Sequence, residues 1–185
     1  MANMDVSGAL TPEQRFQFAI RIVLRHEGGY TYDKDDAGGE TNWGITQREL
    51  TRVYKRLPLP AYVKDLSRAD AKLYYRKQWW EKYHYEAVNA LDIGTKIFDM
   101  AVNMGPQQAH ILTQCAANTC GQQLKIDGIF GGKTIGAINE LVLEGRTDDL
   151  KAELREEQKS YYEHLVNNKP VLKKFIKGWL KRAAL

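Results

Sequence analysis

The sequence has little cysteine and no long apolar segment. Its two cysteines, Cys115 and Cys120, are too few for a disulfide scaffold and lack partners at the spacing of a zinc site. No stretch approaches the ~18 consecutive apolar residues that a membrane-spanning helix needs. The first ten residues lack the basic and apolar regions of a secretory signal. We therefore expect a protein that is made in the cytoplasm, binds no metal and does not insert into a membrane.

A strong charge of one sign is also absent. The 185 residues include 27 Lys and Arg against 23 Asp and Glu, which gives a net charge of +4. This excess is too small to indicate nucleic-acid binding by itself, and no DNA- or RNA-binding motif is present. The basic residues after His164 have no acidic residue among them. They form either a solvated helical face or a surface attracted to an anionic wall or membrane.

Apolar residues recur at helical spacing along most of the chain. Thr11 and Pro12 predict a helix start, and Gly28-Gly29 predicts its end. Between Tyr30 and Thr46, aromatic residues and threonines alternate with turn residues, which predicts short strand pairing. Further helices are predicted over residues 47–54, 67–80, 92–104, 107–118, 148–166 and 171–180. The pattern predicts a mainly α fold with a small β-hairpin in its N-terminal part.

Glu27 lies on the apolar face of the first predicted helix. It follows Val23 by four residues and Leu24 by three. Burial and the negative end of the helix dipole both favour the protonated carboxyl, which is the form that a general acid needs to cleave a glycosidic bond. The alternative is a carboxylate that is paired with Arg21 or Arg25, or one that faces solvent.

Asp36 and Thr41 follow Glu27 after eight and then four intervening residues. A hairpin folded over the helix end would bring the three together. An ionised Asp beside a protonated Glu is the paired-carboxylate arrangement of glycosidases, and a Thr hydroxyl can hold the water. The alternative reading of Asp36 is a turn residue before Gly38-Gly39.

The same segment resembles family-108 glycoside hydrolases, the bacterial and phage N-acetylmuramidases of the lysozyme-like superfamily. Their pattern is E-G-G-Y, then D-P-x-D-P-G-G-x-T-x-x-G-I-T. Here the pattern reads from Glu27 to Thr46, with Lys34 and Ala37 in place of its two prolines. The spacing is also similar to the catalytic triad of phage-type lysozymes, with one residue fewer before Thr41. The resemblance implies a lysozyme-like fold.

The second half resembles the predicted peptidoglycan-binding region that follows the family-108 module. The resemblance rests on Val102 to Gly105, on Asp127 to Gly131 with Thr134, and on the terminal run FIKGWLKR. We expect residues 10–90 to form the catalytic region and residues 91–185 a helical peptidoglycan-binding region. Because no linker separates them, and because the helix over 92–104 is apolar on more than one side, we expect one integrated unit.

Three residues are candidates for substrate contacts: Tyr30, Trp43 and Asn103. Tyr30 belongs to the E-G-G-Y motif. The apolar faces of sugar rings pack on aromatic rings, and Trp43 lies inside the motif loop. Asn103 is either a hydrogen-bond partner of a sugar or a helix C-cap.

The resemblance implies a muramidase that hydrolyses the β-1,4 bond between N-acetylmuramic acid and N-acetylglucosamine. Glu27 would be the general acid, with Asp36 and Thr41 assisting. No cofactor is implied, and the expected partner is peptidoglycan. We expect a monomeric endolysin that stays in the cytoplasm until a holin releases it. The alternatives are a lytic transglycosylase, which leaves anhydromuramic ends, and a non-catalytic wall-binding protein.

Overall fold

The computed structural model describes residues 10–32 and 39–184. The predicted catalytic residue Asp36 lies outside these residues. The structure is divided into two compact units, with the boundary between Lys82 and Tyr83. Helices dominate both units, and a small sheet belongs to the first, which confirms the predicted mainly α class. No helix in the described part of the chain is long and apolar enough to cross a membrane.

Helix α1 (Pro12–His26) begins and ends where its sequence predicts. The Thr11 side chain accepts a hydrogen bond from the Gln14 backbone N–H, and the Gln14 side chain accepts one from Thr11, which completes a capping box. Its buried residues lie on one face: Phe16, Ala19, Ile20, Val23 and Leu24. Glu27 is the C-cap, so the carboxyl that the motif singles out lies at the helix end.

The sheet has three antiparallel strands, one more than the predicted hairpin. Strand β1 (Thr31–Tyr32) pairs with β2 (Glu40–Asn42), which pairs with β3 (Ile45–Thr46). Asn42 lies opposite Ile45, so only Trp43 and Gly44 form the turn between β2 and β3. Both have a positive φ, 54° and 74°, as the commonest two-residue hairpin turn requires.

Two further helices complete the first unit. Helix α2 (Gln47–Val53) starts directly after β3 with a capping box between Thr46 and Glu49. A single 3-10 turn, Val63–Asp65, leads to α3 (Arg68–Tyr75), which Ser67 and Asp70 cap in the same way. The chain continues from α3 as a π-helical turn, Arg76–Trp80. The predicted helix over 67–80 is therefore present, but its last turn is wider than an α-helix.

The second unit is helical throughout its regular elements. Its helices are α4 (Leu91–Met104), α5 (Pro106–Thr119), α6 (Gly132–Leu143), α7 (Thr147–Asn168) and α8 (Ile176–Ala183), with 3-10 turns at Tyr85–Ala87 and Pro170–Phe175. Helix α4 is the centre of this unit, because every residue from Ile93 to Ala101 is buried. Gly105, with a φ of 88°, separates α4 from α5. The helix predicted over 171–180 is two elements, since its first turns are 3-10.

Candidate functional site

Glu27 is held at the point where α1 stops being helical. Its backbone N–H still donates to the Val23 carbonyl over 3.2 Å, but its own φ and ψ, −83° and 133°, are extended. The side chain is half-buried, next to the buried Val23 and Leu24 of the same helix. This position agrees with the predicted apolar-face location and places the carboxyl at the negative end of the helix dipole.

The carboxyl of Glu27 rests against the turn between β2 and β3. A Cβ atom added to Gly44 would lie less than 3.0 Å from the Glu27 Oε2 atom and 2.9 Å from its Cδ atom. Any side chain at position 44 would therefore displace the carboxyl. Gly44 is needed for this close approach as well as for its positive φ. The motif thus brings its first residue, Glu27, against a later one, Gly44. That Asp36 and Thr41 also lie beside Glu27 stays a prediction.

Tyr75 is the third member of this contact. It ends α3, is 1% exposed, and its hydroxyl donates to the Trp43 carbonyl over 2.9 Å. The same hydroxyl would lie 2.8 Å from a Cβ at Gly44. The Glu27 carboxyl and the Tyr75 hydroxyl therefore both approach the Gly44 Cα closely. The sequence gives Tyr75 only as one of many aromatic residues between Tyr74 and Tyr85, with no signal that separates it from core tyrosines.

The helices that carry Glu27 and Tyr75 are linked by polar side chains. Lys72 Nζ of α3 donates to Gln17 Oε1 of α1 over 2.6 Å. Arg76 pairs with Glu13, and this hydrogen bond lowers the pKa of the Glu13 carboxyl. The Arg76 guanidinium also lies 4.3 Å from the centre of the Phe16 ring. These links fix α1 and α3 relative to one another, and with them the two site side chains.

Side-chain hydrogen bonds of Trp43 and Asn42 also hold the turn between β2 and β3. The Trp43 indole Nε1 donates to the Leu66 carbonyl over 3.2 Å. The buried Asn42 side chain donates to the carbonyls of Val63 and Leu66, over 2.8 and 3.2 Å. Asn42 is a residue that sequence reasoning missed as a support of the site. Its signal is a short polar side chain at the last position of a strand, directly before a positive-φ turn.

The remaining predicted residues of the first unit lie on the strands or beside them. The hydroxyls of Thr41 and Thr31 are hydrogen-bonded across β1 and β2, with 2.7 Å between the two oxygens. Tyr30, which precedes β1, is 47% exposed. Both side chains are therefore near the sheet, and Tyr30 has a large accessible ring.

Asn103 belongs to the second unit. Its side-chain oxygen accepts a hydrogen bond from the Tyr162 hydroxyl of α7. Gln158 Nε2 donates to the same hydroxyl over 2.8 Å. The alternative prediction that Asn103 is a C-cap is wrong, because α4 continues to Met104 and Gly105 is the C-cap. Its side chain links α4 to α7.

The Asp127–Gly132 loop of the second unit is built on one buried glutamine. Gln114 Oε1 accepts from the backbone N–H groups of Asp127 and Gly128, over 3.0 and 2.9 Å. Its Nε2 donates to Asp127 Oδ1 and to the Ile129 carbonyl. Thr134 lies inside α6, and its hydroxyl donates to the Ile129 carbonyl over 3.1 Å. The Gln114 side chain, which belongs to α5, therefore holds the conformation of this loop.

Metal-binding groups are not clustered in the part of the chain that the structure describes. No three His, Cys, Asp or Glu side chains there are placed to hold an ion. The candidate site of the first unit contains the Glu27 carboxyl, the hydroxyls of Thr41 and Tyr75, and the aromatic rings of Tyr30 and Trp43.

Two family models match this chain, one in each part. Residues 20–105 match the model described as glycosyl hydrolase 108, and residues 108–184 match the one described as a predicted peptidoglycan domain. The structure is similar to that of SagA from Brucella abortus, with a TM-score of 0.71 and 26% sequence identity. This similarity covers 93% of this chain and 91% of the SagA chain, and it confirms the lysozyme-like fold. No curated protein matches. Residues 20–105 therefore form a glycosyl hydrolase 108 region that continues into a predicted peptidoglycan domain, and the two together support a peptidoglycan-hydrolysing glycosidase.

Proposed function

We propose that this enzyme is an N-acetylmuramidase of the endolysin type, with Glu27 as its general acid. One observation carries the assignment. Glu27 lies within the glycosyl hydrolase 108 region, half-buried at the end of α1, with its carboxyl against the Gly44 turn. A carboxyl in such a place, partly withdrawn from water and at the negative end of a helix dipole, favours the protonated form that an acid catalyst needs.

The chemistry follows from cleavage of a β-1,4 bond in the glycan. Glu27 donates its proton to the bridging oxygen, which leaves as the 4-hydroxyl of N-acetylglucosamine. Positive charge develops at the anomeric carbon of N-acetylmuramic acid. Asp36, as a carboxylate, stabilises that charge or positions the water that attacks the carbon, and Thr41 helps to hold the water. The attacking water loses one proton, which restores the acid over the cycle.

The proposed substrate contacts are Tyr30 and Trp43 of the motif segment and, separately, Asn103 of the second unit. The ring faces of Tyr30 and Trp43 pack on sugar rings, and Asn103 donates or accepts a hydrogen bond. The partner is peptidoglycan, and the enzyme acts as a monomer after a holin releases it from the cytoplasm. The 47% exposure of Tyr30 supports its part in this proposal.

The first prediction is that Glu27→Gln abolishes cleavage while the protein stays folded. An amide has no proton to give to the leaving oxygen, and loss of a general acid costs ~10²–10⁴ in rate. Purified peptidoglycan is digested with wild type and variant, and the fragments are weighed by mass spectrometry. Wild type should give hydrated reducing ends. The control is Glu81→Gln, a surface residue in an i,i+4 pair with Lys77, which should digest as wild type does.

Each other outcome would indicate a different function for this protein. Anhydromuramic ends would make the enzyme a lytic transglycosylase, and absence of fragments would make it a wall-binding protein. Cleavage by Glu27→Gln at the wild-type rate would remove Glu27 from its role. The anomer released, read by proton NMR within the first turnovers, separates inversion from retention. Inversion requires the two carboxyls about 6.5–9.5 Å apart, whereas retention with a carboxylate nucleophile requires about 5 Å.

A further inference from the structure

Three aromatic rings of the second unit form one stack that runs from the core to the surface. Tyr162 of α7 is 1% exposed, and the Trp179 ring of α8 stacks on it with 5.2 Å between the ring centres. The Phe175 ring stacks on Trp179 at 5.7 Å and is the outermost of the three, with 46% exposure. Because stacked rings stabilise one another, the inner two hold the outer one in place. The second unit therefore presents an accessible ring in a fixed orientation.

This accessible ring lies among basic side chains. Residues three apart share a face of a 3-10 helix, so Lys174 lies on the same face as Val171, which is 74% exposed. The Lys174 Nζ atom is 4.9 Å from the centre of the Phe175 ring. No acidic residue follows Glu163 in the chain. Four more exposed lysines occur on the same segment: Lys169, Lys173, Lys177 and Lys181. We call Val171, Phe175 and these five lysines the C-terminal surface.

The inner side of α8 is occupied within the second unit. Its Trp179 ring packs on Tyr162, its Arg182 pairs with the buried Asp99 of α4, and its Ala183 is 3% exposed. A helix that lies in a membrane interface needs its apolar side for the lipid. The accessible apolar area of the C-terminal surface is instead one aromatic ring and one valine side chain, which is about the size of a sugar ring.

Peptidoglycan is complementary to both parts of the C-terminal surface. The apolar face of a sugar ring packs on an aromatic ring, and the stem peptides of the glycan strand carry carboxylates that attract ammonium groups. The segment also lies within residues 108–184, which match the predicted peptidoglycan domain. Charge, ring geometry and family region therefore favour the same partner.

We propose that the C-terminal surface is a peptidoglycan-binding site, in which a sugar ring of a glycan strand stacks on Phe175 and the lysines pair with stem-peptide carboxylates. The long, exposed Lys174 side chain moves its ammonium group from the ring to a carboxylate when the sugar binds. The site holds the enzyme on the wall and takes no part in bond cleavage. This inference rests on peptidoglycan as the partner in the proposed function, and not on the role of Glu27.

The first test measures how tightly the full chain binds purified sacculi, by sedimentation on ice. Phe175→Ala should raise the Kd about tenfold, as loss of an aromatic anchor does at an interface. Phe175→Trp keeps an aromatic face and should bind as wild type does. The matched control is Phe18→Ala, because Phe18 has a similar exposure of 42% but lies on α1 in the first unit. It should also bind as wild type does, and a thermal melt of each variant checks that it is folded.

The second test removes charge from the C-terminal surface. The double variant Lys173→Gln with Lys177→Gln should raise the Kd about fivefold at low salt, since each exposed ion pair contributes little. This difference should vanish in about 1 M salt, where charges are screened within ~3 Å. The control is Lys55→Gln with Lys133→Gln, which removes the same charge from exposed lysines elsewhere and should keep the wild-type Kd.

The third test observes Phe175 directly in the wild-type protein. The chain is labelled with 13C-phenylalanine and titrated with a disaccharide peptide from peptidoglycan, which lacks the bond that a muramidase cleaves. The ring signals of Phe175, identified by their absence in Phe175→Trp, should move, and those of Phe18 should stay. This titration decides the matter if Phe175→Ala does not fold.

The outcomes separate this inference from the proposed function. Sacculus binding by Phe175→Ala that equals that of Phe18→Ala, or Phe175 signals that do not move, would overturn the site. Vesicles of phosphatidylglycerol and phosphatidylethanolamine are sedimented in parallel. If the lysine double variant loses only vesicle binding, the surface binds a membrane and the inference is wrong. The muramidase assignment depends on the digest alone, so it can fail while sacculus binding confirms this site, or stand while the site is overturned.

Discussion

Trp43 is held in a backbone conformation that its side chain does not favour. A non-glycine residue with φ of 54° carries a cost of about 1–3 kcal/mol. Two hydrogen bonds oppose this cost, one from its indole to Leu66 and one from Tyr75 to its carbonyl. The indole N–H of Trp43 therefore already has a hydrogen-bond acceptor within the protein. Any contact of Trp43 with a sugar must come from the face of its ring.

His110 is a buried residue with both ring nitrogens engaged. Nδ1 lies 3.2 Å from the Gly128 carbonyl, and Nε2 lies 2.8 Å from the Tyr85 hydroxyl. Because a carbonyl cannot donate, Nδ1 carries the proton and Nε2 of the neutral ring accepts from Tyr85. The Phe130 ring stacks on the imidazole at 4.9 Å. Burial lowers the pKa of His110 to about 4, and the bond to Gly128 opposes that shift.

The lowered pKa of His110 predicts a loss of stability in acid. The unfolded chain binds a proton at this histidine below pH ~6.5, whereas the folded chain resists it until about pH 4. The free energy of unfolding should therefore fall as the pH falls through this window, by about 3 kcal/mol at most. Urea unfolding at pH 7.5 and pH 4.5 measures the change. His110→Gln should show a smaller fall than wild type.

The control for this prediction is His164→Gln, since His164 is exposed on α7. It should keep the wild-type dependence on pH. An equal fall in His110→Gln and wild type would show that other groups cause the acid sensitivity.

At the scale of elements, α4 and α8 are joined by buried charges. Arg182 Nε and Nη2 donate to the two carboxylate oxygens of Asp99 over 2.9 and 2.8 Å. Lys96, also on α4, donates to the Ala183 carbonyl over 2.6 Å. Burial lowers the pKa of Lys96 to about 8, although Asp99 opposes the shift. The C-terminal helix is therefore fixed by specific polar contacts as well as by apolar packing.

The pair Asp99–Arg182 gives a prediction with an internal control. Arg182→Leu leaves the Asp99 carboxylate buried without its bidentate partner, which should cost about 3–5 kcal/mol of unfolding free energy. The double variant Asp99→Leu with Arg182→Leu removes both charges and should be more stable than the single variant. Urea unfolding of the three proteins measures the difference. A double variant that is no more stable than Arg182→Leu would contradict this account.

The last turns of the chain differ from their sequence pattern. Helical periodicity places Val171, Leu172 and Phe175 on one face with Ile176 and Trp179. In the structure Pro170–Phe175 is a 3-10 helix, with three residues per turn, and α8 begins only at Ile176. Val171 is 74% exposed, whereas the Phe175 ring stacks on Trp179 at 5.7 Å and the Trp179 ring stacks on Tyr162. Val171 is therefore the member of the predicted apolar face that is left exposed to solvent.

At the scale of the whole molecule, the family boundary and the packing boundary do not coincide. The glycosyl hydrolase 108 region extends to residue 105 and includes α4. The division into compact units assigns α4 to the second unit, where α5 and α7 pack on it. Helix α4 therefore belongs to the hydrolase family region by sequence and to the peptidoglycan-domain unit by packing.

We predict that residues 1–90 do not fold alone. The predicted boundary at residue 90 removes α4, and with it residues 91–105 of the hydrolase family region. The predicted integrated unit needs this helix, because its sequence is apolar on more than one side. Expression of residues 1–90 and of the full chain, each followed by a thermal melt and a lysis assay, tests this. The fragment should lack a cooperative transition and activity. A soluble, cooperatively melting and active fragment would show that the catalytic half is independent.

Local sequence patterns were sufficient to predict that Glu27 lies at the end of α1. The Thr11 cap, the Pro12 start and the glycines after the helix predicted the ends of α1, and Glu27 is the C-cap of this helix. These signals act within one or two helical turns, so they can be read from the chain.

The sequence by itself determined the mainly α class, the end of the first helix and the acid that lies there. The tertiary structure decided what faces that acid. Tyr75 follows Glu27 by 48 residues, and their common approach to Gly44 depends on the register of β2 and β3 and on how α3 packs with α1. It also decided that the indole of Trp43 anchors a turn and that Asn103 bonds to Tyr162. Such contacts join residues far apart in the chain, and no local propensity or spacing specifies them.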